Sequence, residues 1–590
     1  MHKTNWNLDN ILHIDDFDLK SKKLEIELKE FSEKFNSMPF PISKEYFSEI
    51  ISAYILITEN IAILYARAFL AEELNNIGED EKFLKSKAHK SLILYENTIR
   101  PFIHWIEGLE KNNNAILNDL EAKKLFKSLP SMEYYFTKLR ELKKHTLSLD
   151  EEKIIAHKYI TGTQTVLELR SIIENEQRYE ALIDGKLKKF DTMSSLAIYF
   201  KDGNKENRIN SYNALYDQQK KNIVKYFSIY KSIVNDWSFE TKLRNYDSNI
   251  SVVNVENDIK DKTVDILLNS CEDNKDIFNE FFLIKAKELK IPKLTRYDLY
   301  SPIAVAEKTV SYEEAVTIIL DVFKGFDSEL YNIAVNYFDT DNIDCYPKSN
   351  KTSGAFCANI TNKIDPYLLL NFTNKTRDVF ILAHEFGHAT HQMLSKSQNI
   401  LTQDAPLTLA ETASTFTESL VFDYLYKNEK DKNVKKSMLF EKITDTYATI
   451  AKQAYTVKFE KQAHKLLEDG IKLEDFNDVY LNVLREQFGD YIEVPEIFKY
   501  EWSYIPHIVN TPFYCYAYPF GDLLSFSLYE SYLENKGSFI NKYKNILKAG
   551  GSQNPYKLLK KEGFNIEDPQ FFNNGFKIIK KWIKELESLI

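Results

Sequence analysis

The stretch ILAHEFGHATHQ, residues 381–392, holds three of the chain's eleven histidines with a glutamate among them. On a helix, His384 and His388 project from one face a turn apart, the arrangement in which two imidazoles meet one ion. Glu385 stands about 100° further round. That takes it off the ligand face but within reach of a water on a metal. This is the physical content of HExxH, two zinc ligands and a general base. His391 is tempting as a third ligand, but it lies two turns from His384, and three ligands from one continuous helix cannot converge tetrahedrally. The spacing HExxHxxGxxH also fails, with His391 where it needs glycine and Leu394 where it needs histidine.

The missing ligand is therefore expected from a second helix, PLTLAETASTFTESLVFDYLY, residues 406–426. Pro406 suits a helix start. Glu411 and Glu418 are seven residues apart, two turns along the same face, with Ser414 and Thr415 between them. A face of Ala, Ser and Thr around two carboxylates can approach another helix closely, where an ordinary amphipathic helix would carry Leu. Glu411 is the expected third ligand and Glu418 the group that orients a histidine. If zinc survives loss of Glu411, Glu418 takes its place. Cys357 is read as a buried thiol, since two histidines and a glutamate complete a catalytic set.

The zinc helix needs a support. A short apolar strand, DPYLLLNFT, residues 365–373, precedes it, and the helix is expected to start near Thr376, with Thr376 as N-cap and Asp378 in its first turn. An exposed edge on that strand would pair with an extended peptide; a purely internal strand would not. Apart from this segment the chain reads as helical. It has only 16 Gly and 15 Pro in 590 residues, too few breakers for an all-β chain of that length. Apolar residues recur at helical spacing through Ile51, Tyr54, Ile55, Ala62, Tyr65 and Phe69, and the pattern continues through EEKIIAHKYI and TVLELRSIIENEQRYEALI. A polar stretch, residues 199–215, places a boundary near residue 195. It separates an N-terminal helical domain, 1–195, from a catalytic domain, 196–590. A second loop-rich region falls around LTRYDLYSPIAV.

Net charge is −10 and the lysine clusters alternate with apolar residues, which argues against nucleic acid as a partner. The four cysteines form no CxxC pair and read as reduced thiols. No secretory signal is expected from MHKTNWNLDN, and Arg67 interrupts the most apolar run, so the expectation is a cytoplasmic protein without a membrane partner.

HEFGHATH followed by LAETASTFTE resembles oligoendopeptidase F, within the thimet-oligopeptidase-like zinc metallopeptidases. NWNLDNIL, RYDLYSPI with SYEEA, SGAFC, PYLLLNFTNKTRDVF and YEWSYIPHIVNTPFYCYAY resemble that family's segments in its order, so the likeness covers nearly the whole chain. The resemblance implies a mainly α-helical ellipsoid with a deep central channel, a small β-sheet beside the zinc helix, and one zinc ion held by His384, His388 and Glu411. It implies cleavage of internal bonds in short, extended peptides, with Glu385 as general base. It also implies a late loop facing the zinc and contacting substrate, onto which His507, Tyr514, Tyr516 and Tyr518 fall. AYPFG, residues 517–521, departs from the family's usual YATG and leaves open which tyrosine is the oxyanion donor. The rival readings are a metallo-carboxypeptidase or dipeptidase of the same fold, a non-peptidase zinc hydrolase, and a helical binding protein with a vestigial site. The oligomeric state is not readable from sequence.

Overall fold

A computed structural model describes residues 2–112, 115–303 and 308–590. Helices dominate, as the scarcity of breakers requires. The elements used below are α1 (Phe17–Asn36), α2 (Lys44–Leu74), α3 (Glu79–Glu107), β1 (Tyr179–Ile183), β2 (Lys186–Phe190), α4 (Lys205–Leu243), α5 (Tyr312–Phe326), α6 (Ser328–Phe338), β3 (Ile343–Asp344), β4 (Phe356–Ala358), β5 (Tyr367–Leu369), α7 (Thr376–Ser395), α8 (Leu407–Ala410), α9 (Thr412–Asn428), α10 (Ala451–Glu468), α11 (Ala517–Glu534) and α12 (Lys536–Ala549). The chain divides into two compact units. One comprises Met1–Thr146, Glu307–Leu425 and Ser531–Phe564; the other comprises Leu147–Ala306, Tyr426–Glu530 and Asn565–Ile590.

In the first unit, α1, α2 and α3 enclose a core in which Phe31 and Phe35 meet the Phe102 ring edge-on, at 5.3 and 5.5 Å. Helix α2 is 31 residues long and, by length and composition, apolar enough to cross a membrane; half of its most apolar stretch is buried in the protein. Phe47, Ile50, Ile57 and Leu64 are among the helix's buried residues, in the core shared with α1 and α3. The unit's sheet has the order β3-β5-β4, with β5 parallel to β3 and antiparallel to β4. The strand expected before the zinc helix is therefore present, reduced to three residues, and it is central. Both of its edges are paired, so it offers no edge for a substrate peptide.

Helix α7 follows that strand. Its N-cap is Lys375 rather than Thr376, because Asp378 does the capping: one carboxylate oxygen accepts the backbone N–H groups of Thr373 (2.7 Å) and Lys375 (3.0 Å). The face of α7 opposite its histidines is anchored by Phe386, whose ring lies 5.4 Å from that of Phe323 on α5 and 4.8 Å from that of Phe338 on α6. Phe416 of α9 stacks on Tyr543 of α12 at 4.5 Å.

In the second unit the end of the segment expected to be helical, YEALI, is instead β1, paired with KLKKF as the β1–β2 hairpin. Asp184 and Gly185 both have positive φ, +51° and +72°, and form a two-residue turn of the type that matches strand twist. Tyr179, Ala181 and Ile183 alternate inward, so a period of two overrides the apparent helical pattern. In the loop-rich segment, Arg296 makes a buried ion pair with Glu501 at 2.7 Å; Ala304 and Val305 of that segment lie outside the described residues.

Candidate metal centre

Helix geometry makes His384 and His388 neighbours on α7, and their Nε2 atoms stand 3.2 Å apart. Glu411 comes from the junction between α8 and α9. The sequence suggests one helix from Pro406, but the structure has a single turn, Leu407–Ala410, capped by Pro406, with Glu411 at φ −85°, ψ 0° before α9 begins. There Glu411 Oε2 lies 3.4 Å from His384 Nε2 and 3.4 Å from His388 Nε2. The three donor atoms form a nearly equilateral triangle. Ligands roughly 2.0–2.1 Å from one zinc ion at tetrahedral angles stand roughly 3.3 Å from one another, so the triangle has the size of three corners of a zinc site. Among the described residues these three are the only His/Cys/Asp/Glu group of this kind.

The other atoms of these three residues are held too. His384 Nδ1 is 2.6 Å from Glu418 Oε1, a bond in which the ring donates. That leaves the Nε2 lone pair facing inward. His388 has the Ala410 backbone as a hydrogen-bond partner. Ser414 Oγ donates to Glu411 Oε2 at 2.7 Å. Two imidazole nitrogens and a carboxylate oxygen converge here, three electron-rich atoms that a cation would reconcile.

Charges respond accordingly. Burial disfavours a charged His384, but the hydrogen bond and charge of Glu418, with the charges of Glu411 and Glu385, carry its pKa up to about 9. Glu385 is buried, with 8% of its surface exposed. Burial first, and then the neighbouring Glu411 and Glu418 charges, push its carboxyl up to about 7, against the opposing pull of His384. Burial and the charge of Glu385 hold the Cys357 thiol well above the ordinary value, which places SGAFC near Glu385. His391 is buried, and burial with the charge of His388 pushes it down to about 3; it is not part of the donor triangle.

One residue that makes this arrangement possible escaped the sequence reading. Gly387, inside HEFGH, packs backbone to backbone on α9: a Cβ there would stand 2.5 Å from Ser414 Cα and 2.6 Å from the Ala413 carbonyl oxygen. The small-residue face of ETAS signalled close approach; its partner on α7 is this glycine. Ser414 also escaped notice as a hydrogen-bond donor, although its i, i+3 spacing from Glu411 carries that signal.

The late-loop residues lie in the second unit. The structure brings together His507, Tyr514 and Tyr518: His507 Nε2 is 3.1 Å from the Tyr518 hydroxyl, and its ring lies parallel to that of Tyr514, 6.1 Å between centroids. Tyr516 stands apart from this cluster. It is fully buried and its hydroxyl accepts from Asn257 Nδ2 at 2.8 Å.

Residues 198–578 match the sequence model of peptidase family M3. The chain is 27% identical over 577 residues to an oligoendopeptidase F homolog of Borreliella burgdorferi, covering 96% of this chain and 94% of that protein. It is 25% identical to the oligopeptidase PepF of Bacillus subtilis, over 89% of this chain and 73% of that one. The crystal structure of an oligoendopeptidase-F from Enterococcus faecium superposes with a TM-score of 0.70 at 21% identity, covering 98% and 99% of the two chains.

Proposed function

The chain belongs to peptidase family M3 and is a peptidase of oligopeptides, and from that premise we propose that it is a zinc-dependent endopeptidase that cuts internal bonds of short, extended peptides. His384, His388 and Glu411 would hold one zinc ion per chain, and the catalytic machinery falls within residues 196–590. The observation that carries this reading is the donor triangle of 3.2, 3.4 and 3.4 Å.

Zinc, when bound, supplies Lewis acidity, which eases proton loss from water and draws charge from a carbonyl oxygen. The protein does the rest. Glu385 accepts the proton of the attacking water on a carboxylate oxygen as the new C–O bond forms. It then delivers that proton to the leaving nitrogen as the C–N bond breaks, so it ends in the state in which it began. Its burial suits this task, because a base whose pKa lies near neutrality both takes and returns a proton readily. Glu418 keeps His384 in the tautomer whose Nε2 would face a bound ion. His507, Tyr514 and Tyr518 are substrate-contacting hydrogen-bond donors, with Tyr518, bonded to His507, as the candidate for the developing oxyanion. Tyr516, also implied by the family likeness, is better suited to holding the loop, given its burial against Asn257. The four cysteines, all free thiols, are in keeping with a cytoplasmic location.

The test is digestion of peptides of graded length, with and without chelator, followed by mass analysis of the fragments. Internal cleavage that stops on chelation and returns with zinc is expected. Release of single terminal residues would instead make the protein an exopeptidase, and cleavage indifferent to chelator would remove the metal from the mechanism.

A further inference from the structure

Phe513 sits at φ +60°, ψ +9°, a left-handed backbone conformation rare for a bulky residue, and it is buried. The residue that follows it is Tyr514, and Tyr518 lies five positions on, in the first turn of α11. The direction in which both tyrosines leave the backbone therefore depends on this one strained position. Strain of this kind persists only where the surroundings over-determine it.

What surrounds Phe513 is unusual. Its N–H donates to Glu460 Oε1 at 2.8 Å. Glu460 is on α10, 0% exposed, and its second oxygen has no hydrogen-bond partner. His464, one turn further along α10, lays its ring against the Phe513 ring at 4.6 Å between centroids. His464 Nδ1 is 3.1 Å from Asn249 Nδ2, so the ring accepts there, and its Nε2 stands 4.0 Å from Glu460 Oε1. A buried carboxyl without an ion-pair partner is costly, and an apolar residue would pack in its place. The bond it makes is to the one backbone N–H that the left-handed turn would otherwise leave buried and unpaired.

We propose that Glu460 is a positioning residue, which clamps Phe513 in its left-handed conformation and thereby presents Tyr514 and Tyr518 alongside His507. The inference rests on the role given above to those three residues. Glu460 acts through the backbone N–H of Phe513. Burial holds the carboxyl well above its ordinary pKa, which favours the neutral acid, and glutamine reproduces both its shape and its acceptor oxygen.

The experiment compares E460Q with E460M in the full-length, zinc-loaded protein. Methionine fills the same space and accepts nothing strong from an N–H. Turnover of an internally quenched peptide, zinc content and amide hydrogen exchange over residues 511–518 are measured for each. E460Q is expected to keep activity. E460M is expected to lose kcat about tenfold with KM little changed, since the energy separating a left-handed from an ordinary backbone is of that order. Its zinc content should be that of the wild type and exchange over 511–518 should be faster. Adding F513G to E460M should recover most of the loss, because glycine adopts positive φ freely.

E460M with wild-type kcat, E460Q as impaired as E460M, or no recovery with F513G would each overturn the clamp. Y518F separates the two layers of argument. If Y518F and H507A leave kcat unchanged, the role assigned to the cluster falls. The exchange measurement then still decides the clamp: unchanged protection in E460M refutes it, and faster exchange upholds it.

Discussion

His384, His388 and Glu411 are brought together by the periodicity of two helices and the close approach of their backbones, whereas His507, Tyr514 and Tyr518 are gathered by a loop that turns on one left-handed phenylalanine. In the first cluster each residue is fixed by a group from the segment around Glu411: Glu418 on His384, Ala410 on His388, Ser414 on Glu411. In the second, the fixing group is a buried carboxyl on a helix more than fifty residues earlier in the chain. A site made from helix periodicity tolerates change around it and fails when a member is removed. A site made from a strained turn fails when its support is removed, even though that support acts through a neighbouring backbone N–H.

The strongest way to sharpen the contrast is within the first cluster. E385Q removes the base and leaves the donor triangle alone, so kcat should fall by about 10³-fold, within the range general-base catalysis supplies, while zinc content stays at one per chain. E411A should do the reverse and release the metal. Turnover in E385Q close to the wild type would show that Glu385 is not the base.

The approach of α7 to α9 comes next. G387A places a Cβ 2.5 Å from Ser414 Cα, with backbone rather than a flexible side chain in its way, so the two helices must separate. Overpacking of this kind costs about 1–3 kcal/mol, and because the separation moves Glu411 from the histidines, zinc affinity should fall with thermal stability. G325A in α5, where nothing lies within 4 Å, is the control and should be neutral or slightly stabilising. Equal zinc affinity and equal melting temperature in the two variants would refute the close-approach argument. E418Q is milder. It leaves the triangle intact and weakens the group that orients His384, so zinc affinity should drop by about 10–100-fold, measured by chelator competition.

These cases mark what a sequence can show. HExxH and the ETAS face are legible because helix geometry converts spacing directly into direction, and the strand before α7 was legible from its apolar run. The break at Glu411 was not, because α8 and α9 continue each other in hydrogen bonding: the Thr415 N–H still bonds the Glu411 carbonyl. The hairpin at Asp184–Gly185 carried a local turn signal that an adjacent helical pattern obscured. The central position of β5 depends on pairing with segments 11 and 25 residues away in register, which no local pattern encodes. Phe513 is the extreme case. Nothing in its own residue type foretells positive φ, and only the fold supplies Glu460 to hold it.

The smallest effect concerns charge on that support. Burial pushes His464 down to about 3, and it pushes Glu460 well above the ordinary carboxyl value. Their contributions to stability have opposite signs. Between pH 3 and 6.5 the unfolded chain binds a proton on His464 that the folded protein does not, so this group costs stability as pH falls. Above about 4.5 the folded protein keeps a proton on Glu460 that the unfolded chain has lost, so this group adds stability as pH falls toward 4.5. The two slopes therefore oppose each other. E460Q deletes one of them. Relative to the wild type, its unfolding free energy should then decline as pH falls toward 4.5, read as a widening gap in melting temperature between pH 6.5 and 5.5. The glutamine still accepts from Phe513, so activity at neutral pH should not follow this gap. A gap of the same width at both pH values would mean that Glu460 is not held neutral by the fold.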